Sequence, residues 1–237
     1  MNIIYLIQVV STLVMLIHTS ILDIKTREVD LKVWLIYSPL ILFLYFDYKL
    51  VIPFLYLYSV ITTNVMIYVF YRLALMGGAD LFLSVILSLS NAVVYPFFFP
   101  KLSEEGIEPL VILLYASLLI GITALGNVIR NLGHINGDLP FTTKLSLMIS
   151  GKRIKVRDFL NSKFLFPLTQ IDEKGNVSLR TTFSVDEDDA EWRKKFQEYV
   201  NKGIIKEDDE IWVIWGVPVI PFILAGYVIS LIIGLPI

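Results

Sequence analysis

The chain has 237 residues, 56% of them hydrophobic and 18% charged, with a mean hydropathy of +0.70. Soluble domains run nearer roughly 45–50% apolar, so an integral membrane protein is expected. The absence of cysteine excludes disulfides, thiolate catalysis, Cys-ligated zinc and iron–sulfur clusters. Only two histidines exist, His18 and His134, too far apart in sequence to suggest a histidine metal site. The net charge of −2 says little as a total, because charge is segregated along the chain.

Crossing a bilayer as a helix takes about 20 apolar residues. The apolar runs predict six such helices, at 3–22, 32–47, 51–72, 80–98, 108–129 and 211–235. The first run lacks the basic start and small-residue cleavage site of a removable signal peptide, so a retained helix is expected. Lys25, Arg27 and Lys32 follow the first helix, Arg72 the third and Arg130 the fifth. The other side carries Lys49 and Lys101 beside Asp47, Glu104, Glu105 and Glu108. The positive-inside bias therefore puts 23–32, 72–79 and 130–210 in the cytosol and both termini outside. Snorkelling and topology-setting account for Arg130.

Residues 131–210 hold 13 of the 20 Lys+Arg and 14 of the 22 Asp+Glu, without a span-length apolar run. "FLFPLTQIDEKGNVSLRTTFSV" predicts two strands around a Gly-Asn turn. "DEDDAEWRKKFQEYVNKG" predicts a short amphipathic helix, with Trp192, Phe196 and Tyr199 at helical spacing and Gly203 as its stop. The expected fold class is thus an α-helical integral membrane protein of six transmembrane helices, with a small α+β cytosolic domain inserted between helices five and six. The expected division is a membrane domain over 1–130, the soluble insert over 131–210 and the last helix over 211–237.

Two carboxylates attract attention. Asp80, in "GGAD", opens the fourth helix, and Asp23, in "DIKTREVD", ends the first. Two crossings lie between them, so both are expected at the cytosolic boundary. An intramembrane carboxylate costs several kcal/mol and implies a use. Asp80, Ser84, Ser88 and Asn91 recur on one helical face, and Thr12, Thr19, Ser20 and Asp23 form a similar stripe. For the serines, helix packing is the favoured reading. Gly77 and Gly78 are read as permitting positive φ and close approach of another backbone ahead of Asp80. Two carboxylates sharing a proton run hydrolysis without metal or cofactor. Helix dipoles favour charge on Asp80 and disfavour it on Asp23, an ordering opposed by Lys25 and Arg27. His18 points about 140° around the helix from Asp23 and is read as a packing or interfacial residue.

These residues resemble the type IV prepilin peptidases, most closely their archaeal preflagellin peptidase branch, which are GxGD-type membrane aspartyl proteases. The first family element is an aspartate ending helix one before a short basic stretch, here Asp23. The second is a Gly-rich tetrapeptide ending in aspartate, here Gly77, Gly78, Ala79 and Asp80. "WVIWGVPVIPFILAGYVIS" is similar to the last helix of the archaeal branch. Ala79 replaces the second glycine, "EVD" replaces an Ile-Pro, and the bacterial Cys-rich zinc domain is absent. The resemblance implies catalytic roles for Asp23 and Asp80, with the backbone of Gly77, Gly78 and Ala79 positioning substrate. No metal, cofactor or N-methyltransferase activity is carried over. The implied substrate is a preflagellin or pilin-like preprotein with a short basic leader, cut at the cytosolic membrane face; the bilayer is the other partner, and no nucleic acid is expected. The acidic runs 186–191 and 206–210 offer a docking surface for that leader, although such runs are usually solvated surface. The competing readings are an ion- or proton-coupled transporter component using the same aspartates, and a membrane anchor for the insert.

Overall fold

The computed structural model describes residues 3–72, 76–135, 139–172, 175–184 and 187–236. It comprises two compact units, Met1–Ile120 with Pro218–Ile237, and Gly121–Val217.

The first unit is helical. Its elements are α1 (Ile3–Thr26), α2 (Leu31–Tyr37), α3 (Leu44–Asp47), α4 (Pro53–Arg72), α5 (Gly78–Ser90), the greater part of α6 (Glu108–Asn131) and α10 (Val219–Ile233). Among the described residues, α1, α4 and α6 are long and apolar enough to cross a membrane. The other predicted spans are shorter or broken. The second is interrupted: α2 tightens into a 3₁₀ turn over Ser38–Phe43 before α3. Pro39, near the start of that turn, has no N–H to continue an α-helix. The fourth, predicted over 80–98, is helical only to Ser90, or about 20 Å at 1.5 Å per residue. The sixth, predicted from residue 211, begins as a strand, and α10 starts at Val219.

After α5 the chain continues as irregular backbone. Asn91, Ala92, Val93 and Val94 are at most 1% exposed. Buried non-helical backbone draws its hydrogen bonds from neighbouring protein, and the segments around this stretch supply several. The Asp47 carboxylate lies near the Val93 N–H. Tyr5 Oη accepts from the Tyr95 N–H at 2.9 Å, and the last carbonyls of α10, on Leu231, Ile232 and Ile233, accept from Phe97, Phe98 and Phe99. Gly234 closes this contact at φ +71°; a Cβ there would meet the Phe99 carbonyl oxygen at 2.5 Å.

The apolar centre of this unit joins Met15 and Leu16 of α1, Leu83 and Ile86 of α5, Ile112 of α6 and Ile223 of α10. At Gly226 the α10 backbone lies so close to α6 that a Cβ would meet the Ile112 oxygen at 2.6 Å and the Ala116 nitrogen at 2.8 Å. Small residues at membrane helix contacts permit this approach.

The second unit holds the end of α6, α7 (Phe141–Ser150), β1 (Gly151–Lys155), α8 (Val156–Leu160), β2 (Leu165–Pro167), β3 (Thr169–Ile171), β4 (Val177–Leu179), α9 (Asp189–Asn201) and β5 (Glu210–Trp215). β5 is the central strand of an antiparallel sheet in the order β1-β5-β2. The predicted hairpin is present as β3 and β4, with Gly175 at φ +82°; its tip, 173–174, lies outside the described residues. The predicted amphipathic helix is α9, which buries Phe196 and Tyr199. β1, β5 and α7 were not anticipated.

The acidic run from 186 begins outside the described residues, and its remainder is committed to this unit's own structure. Glu187 accepts from Arg180 through both oxygens, from the Ser184 N–H and from the Trp192 indole. Asp188 caps α9 on Ala190 N–H, and Asp189 takes Arg193 and the Phe164 N–H. In the later run, Asp208 faces Lys155 and Arg157, whose hydrogen bond and charge hold its carboxyl low, and Glu210 pairs with Arg153.

Two measurements check these packing and charge arguments. Gly226→Val should lower stability by about 1–3 kcal/mol, the usual cost of overpacking, read as a fall in thermal unfolding temperature in detergent. For Glu187, burial pushes the carboxyl up, but the hydrogen bonds from Arg180, Ser184 and Trp192 outweigh it and hold it below the ordinary glutamate value. Such a group stabilises the fold above its unfolded value, about 4.3, and loses that contribution as pH falls through the folded one. Glu187→Gln should therefore unfold at lower temperature than wild type at neutral pH, with the gap closing below about pH 4.

Candidate functional site

Asp23 lies in the last turn of α1, half-buried, where α1 ends at Thr26. Its Oδ2 accepts from the Ile220 N–H at 3.1 Å. Ile220 is the second residue of α10 and is 1% exposed within the apolar core, so this donor is rigidly held. Arg27, just beyond α1 at φ +59°, is the cation that Asp23 feels most directly.

Asp80 is the third residue of α5 and is buried. Its Oδ2 accepts from the Gly77 N–H at 3.1 Å, while its own N–H reaches the Gly77 oxygen at 3.2 Å. A carboxylate at this position ties down the entry to its helix. Asp80 is within electrostatic range of Asp23, so α1 and α5 bring together the two predicted acids. Among the described residues no hydrogen bond joins them. Each carboxylate accepts from a backbone N–H at a helix start, Ile220 of α10 for Asp23 and Gly77 ahead of α5 for Asp80.

The glycines act differently from expectation. Gly77 has φ −82° and ψ 163°, an extended conformation open to any residue, and Gly78 is not at positive φ either. What distinguishes them is space. Among the described residues, a Cβ at Gly77 would meet nothing within 4 Å, and one at Gly78 only Tyr71 Cε2 at 3.9 Å. Ala79 packs against the apolar core. Gly77 and Gly78 thus carry bare backbone ahead of Asp80 that the described residues leave uncrowded.

The polar stripe of α5 is absorbed by packing. Ser84 Oγ donates to Asn64 Oδ1 at 2.7 Å, and Asn64 Nδ2 donates to Ser88 Oγ at 3.0 Å, which fastens α5 to α4. Asn91 is a junction for three segments: it donates to Thr12 Oγ1 of α1 at 3.2 Å and accepts from Tyr227 Oη of α10 at 2.9 Å. His18 Nδ1 lies 3.0 Å from Tyr37 Oη, away from both aspartates' bonds.

Asp80 is not the sole deeply placed acid. Asp47 and Glu108 are equally buried, each 6% exposed. Asp47 accepts from Gln8 Nε2 at 2.8 Å, while Ser230, near Glu108, donates its hydroxyl to the Tyr227 carbonyl at 2.8 Å. The sequence reading puts Asp47 at the outer end of the second predicted helix; the hint to its burial is Gln8, a polar side chain inside an apolar run. The donor from Ile220 had no sequence signal, since every residue but proline carries one. Among the described residues, no group of three or more His, Cys, Asp or Glu could hold a metal ion.

Asn91→Ala should orphan the buried Tyr227 and Thr12 hydroxyls and cost about 1–3 kcal/mol, seen as a lower unfolding temperature than that of Ser88→Ala, whose Oγ serves one side-chain partner.

Two protein-family models match the chain. One, described as the type IV leader peptidase family, matches residues 10–125, and the other, described as archaeal peptidase A24 C-terminus type II, matches residues 143–235. Among curated proteins no significant match is found.

Proposed function

The chain belongs to the type IV leader peptidase family, and on that footing we propose that it is a membrane aspartyl endopeptidase cleaving the leader from preflagellin or pilin-like preproteins. The carrying observation is that two carboxylates, from the end of α1 and the start of α5, lie within electrostatic range of each other, next to the side-chain-free backbone of Gly77 and Gly78.

Chemistry follows from two such groups. One carboxylate, ionised, takes a proton from a water as that water attacks the scissile carbonyl carbon. The other, protonated, hydrogen-bonds the carbonyl oxygen and stabilises the charge that develops on it. Collapse of the tetrahedral species breaks the C–N bond, and the proton gained by the first carboxylate passes to the leaving amine. The fixed donors from Ile220 and Gly77 leave the Oδ1 atom of each aspartate for water and substrate, while an extended substrate backbone lies over Gly77–Gly78. No metal is needed, and the family's N-methyltransferase activity is not assigned to this chain. In this reading the segments 23–32 and 72–79 face the cytosol, where a basic leader ahead of an apolar helix would present its cleavage site.

The test is cleavage of such a preprotein in proteoliposomes, followed by gel shift. Wild type should remove the leader in the presence of EDTA, and Asp23→Asn and Asp80→Asn should each be slower by at least about 100-fold, the usual scale of a lost acid–base group. Persistent cleavage in either variant would remove that residue from the mechanism.

A further inference from the structure

The short helix α7 has a divided surface. Thr143 and Leu147 are buried, and α7 packs against β1 and β5 of the sheet. Phe141, Leu145 and Ile149, at i, i+4 and i+8, form a stripe on the other side and are 77%, 44% and 39% exposed. An apolar stripe pointing away from its own domain needs an occupant.

The position of α7 names that occupant. Its C-terminal carbonyls are tied to the last two turns of α6. Asn127 Nδ2 donates to the Ile149 oxygen at 3.0 Å; Asn131 Nδ2 donates to the Leu147 oxygen at 2.9 Å and to the Gly151 oxygen at 2.7 Å. α6 is one of the helices long and apolar enough to cross a membrane. On its opposite side, Ile122, Leu125 and Ile129 form an exposed stripe that runs down to the same two turns. The two asparagines thus hold α7 at the depth where the lipid-facing surface of α6 ends. With its inner face on the sheet, the outer face of α7 has the bilayer boundary to meet. Lys144 stands on α7 and Arg130 in the last turn of α6, and long basic side chains at a bilayer boundary reach headgroups while their stems cover apolar surface.

We propose that α7 is a membrane-surface helix, with Phe141, Leu145 and Ile149 inserted among the lipid headgroups and upper acyl chains of the leaflet in which α6 ends. Short amphipathic helices bind the interface in this way. The occupant is the lipid surface, and the inference rests on α6 spanning the membrane rather than on the peptidase reading. Its consequence is that the sheet is held at the bilayer by a second contact besides its covalent links.

The chain has no cysteine, so single-cysteine variants carry one nitroxide label each. Phe141→Cys, Leu145→Cys and Ile149→Cys would be reconstituted in liposomes, with Ile122→Cys on α6 as the lipid reference and Gln197→Cys, exposed on α9, as the aqueous reference. Power-saturation spectroscopy then compares collision with oxygen, which concentrates in lipid, against a water-soluble nickel chelate. All three α7 positions should favour oxygen over nickel several-fold more than position 197, as position 122 does. Nickel access equal to that at 197 would overturn the proposal in favour of a solvated helix. Low access to both reagents would overturn it in favour of a protein contact, such as a second copy of the chain. Nickel access at 122 would remove the premise. Labels at three exposed positions need no core substitution, and unchanged unfolding temperatures verify that the fold is intact.

Discussion

Inside a bilayer no water is available to a backbone N–H, and each one left without a partner costs several kcal/mol. The same demand holds for any backbone shut away from water, and the helical unit meets it where α5 stops at Ser90 and the chain continues as irregular backbone with Asn91–Val94 at most 1% exposed. Just beyond them, Tyr5 supplies an acceptor to Tyr95 from the first predicted helix, and the end of α10 supplies three carbonyls to Phe97, Phe98 and Phe99. Asn91, Thr12 and Tyr227 then bind α5, α1 and α10 into one knot. A buried Asp47 is tolerable because Gln8 donates to it, the condition under which a polar group can be buried at all.

That same knot sets the position of the two aspartates. α5 is anchored at its far end by Asn91 and along its side by Asn64, so its first turn, with Asp80, is presented at a fixed place. α10 is anchored by Gly226 against α6, and its first turn holds Asp23 through Ile220. Each carboxylate is thus gripped by one backbone donor at a helix start and keeps a second oxygen for other partners. The polar residues of the bundle fall into two groups with different work: Asp23 and Asp80 take backbone donors at helix starts, and Asn64, Ser84, Ser88, Thr12, Asn91 and Tyr227 bond one another.

The soluble unit follows different rules. Its charges are paired locally, with Glu187 gripped by Arg180 and Trp192, and Glu210 by Arg153. Its core rests on Phe159, Phe196 and Val213. Within the acidic runs, Asp188 caps α9, Glu187 pairs with Arg180 and Glu210 with Arg153.

Composition and periodicity alone determined the membrane class, the positions of the long helices α1, α4 and α6, the hairpin β3–β4, the amphipathic α9, and the two aspartates that stand at helix boundaries. These are local properties: a run of apolar residues, an alternation, a carboxylate next to glycines. Four features came from the tertiary structure. The early end of α5 depended on Tyr5 and α10 being near enough to pair with its successor. Strand β5, read as the start of a helix from "IWVIW", was decided by β1 and β2 on either side of it, since an apolar run of this length is equally legible as strand or helix. The room that the described residues leave beside Gly77 depended on what does not pack there, which no local pattern records. Asp23's donor is a backbone group 197 residues away; every sequence carries such groups, and only folding chooses which of them meets a carboxylate.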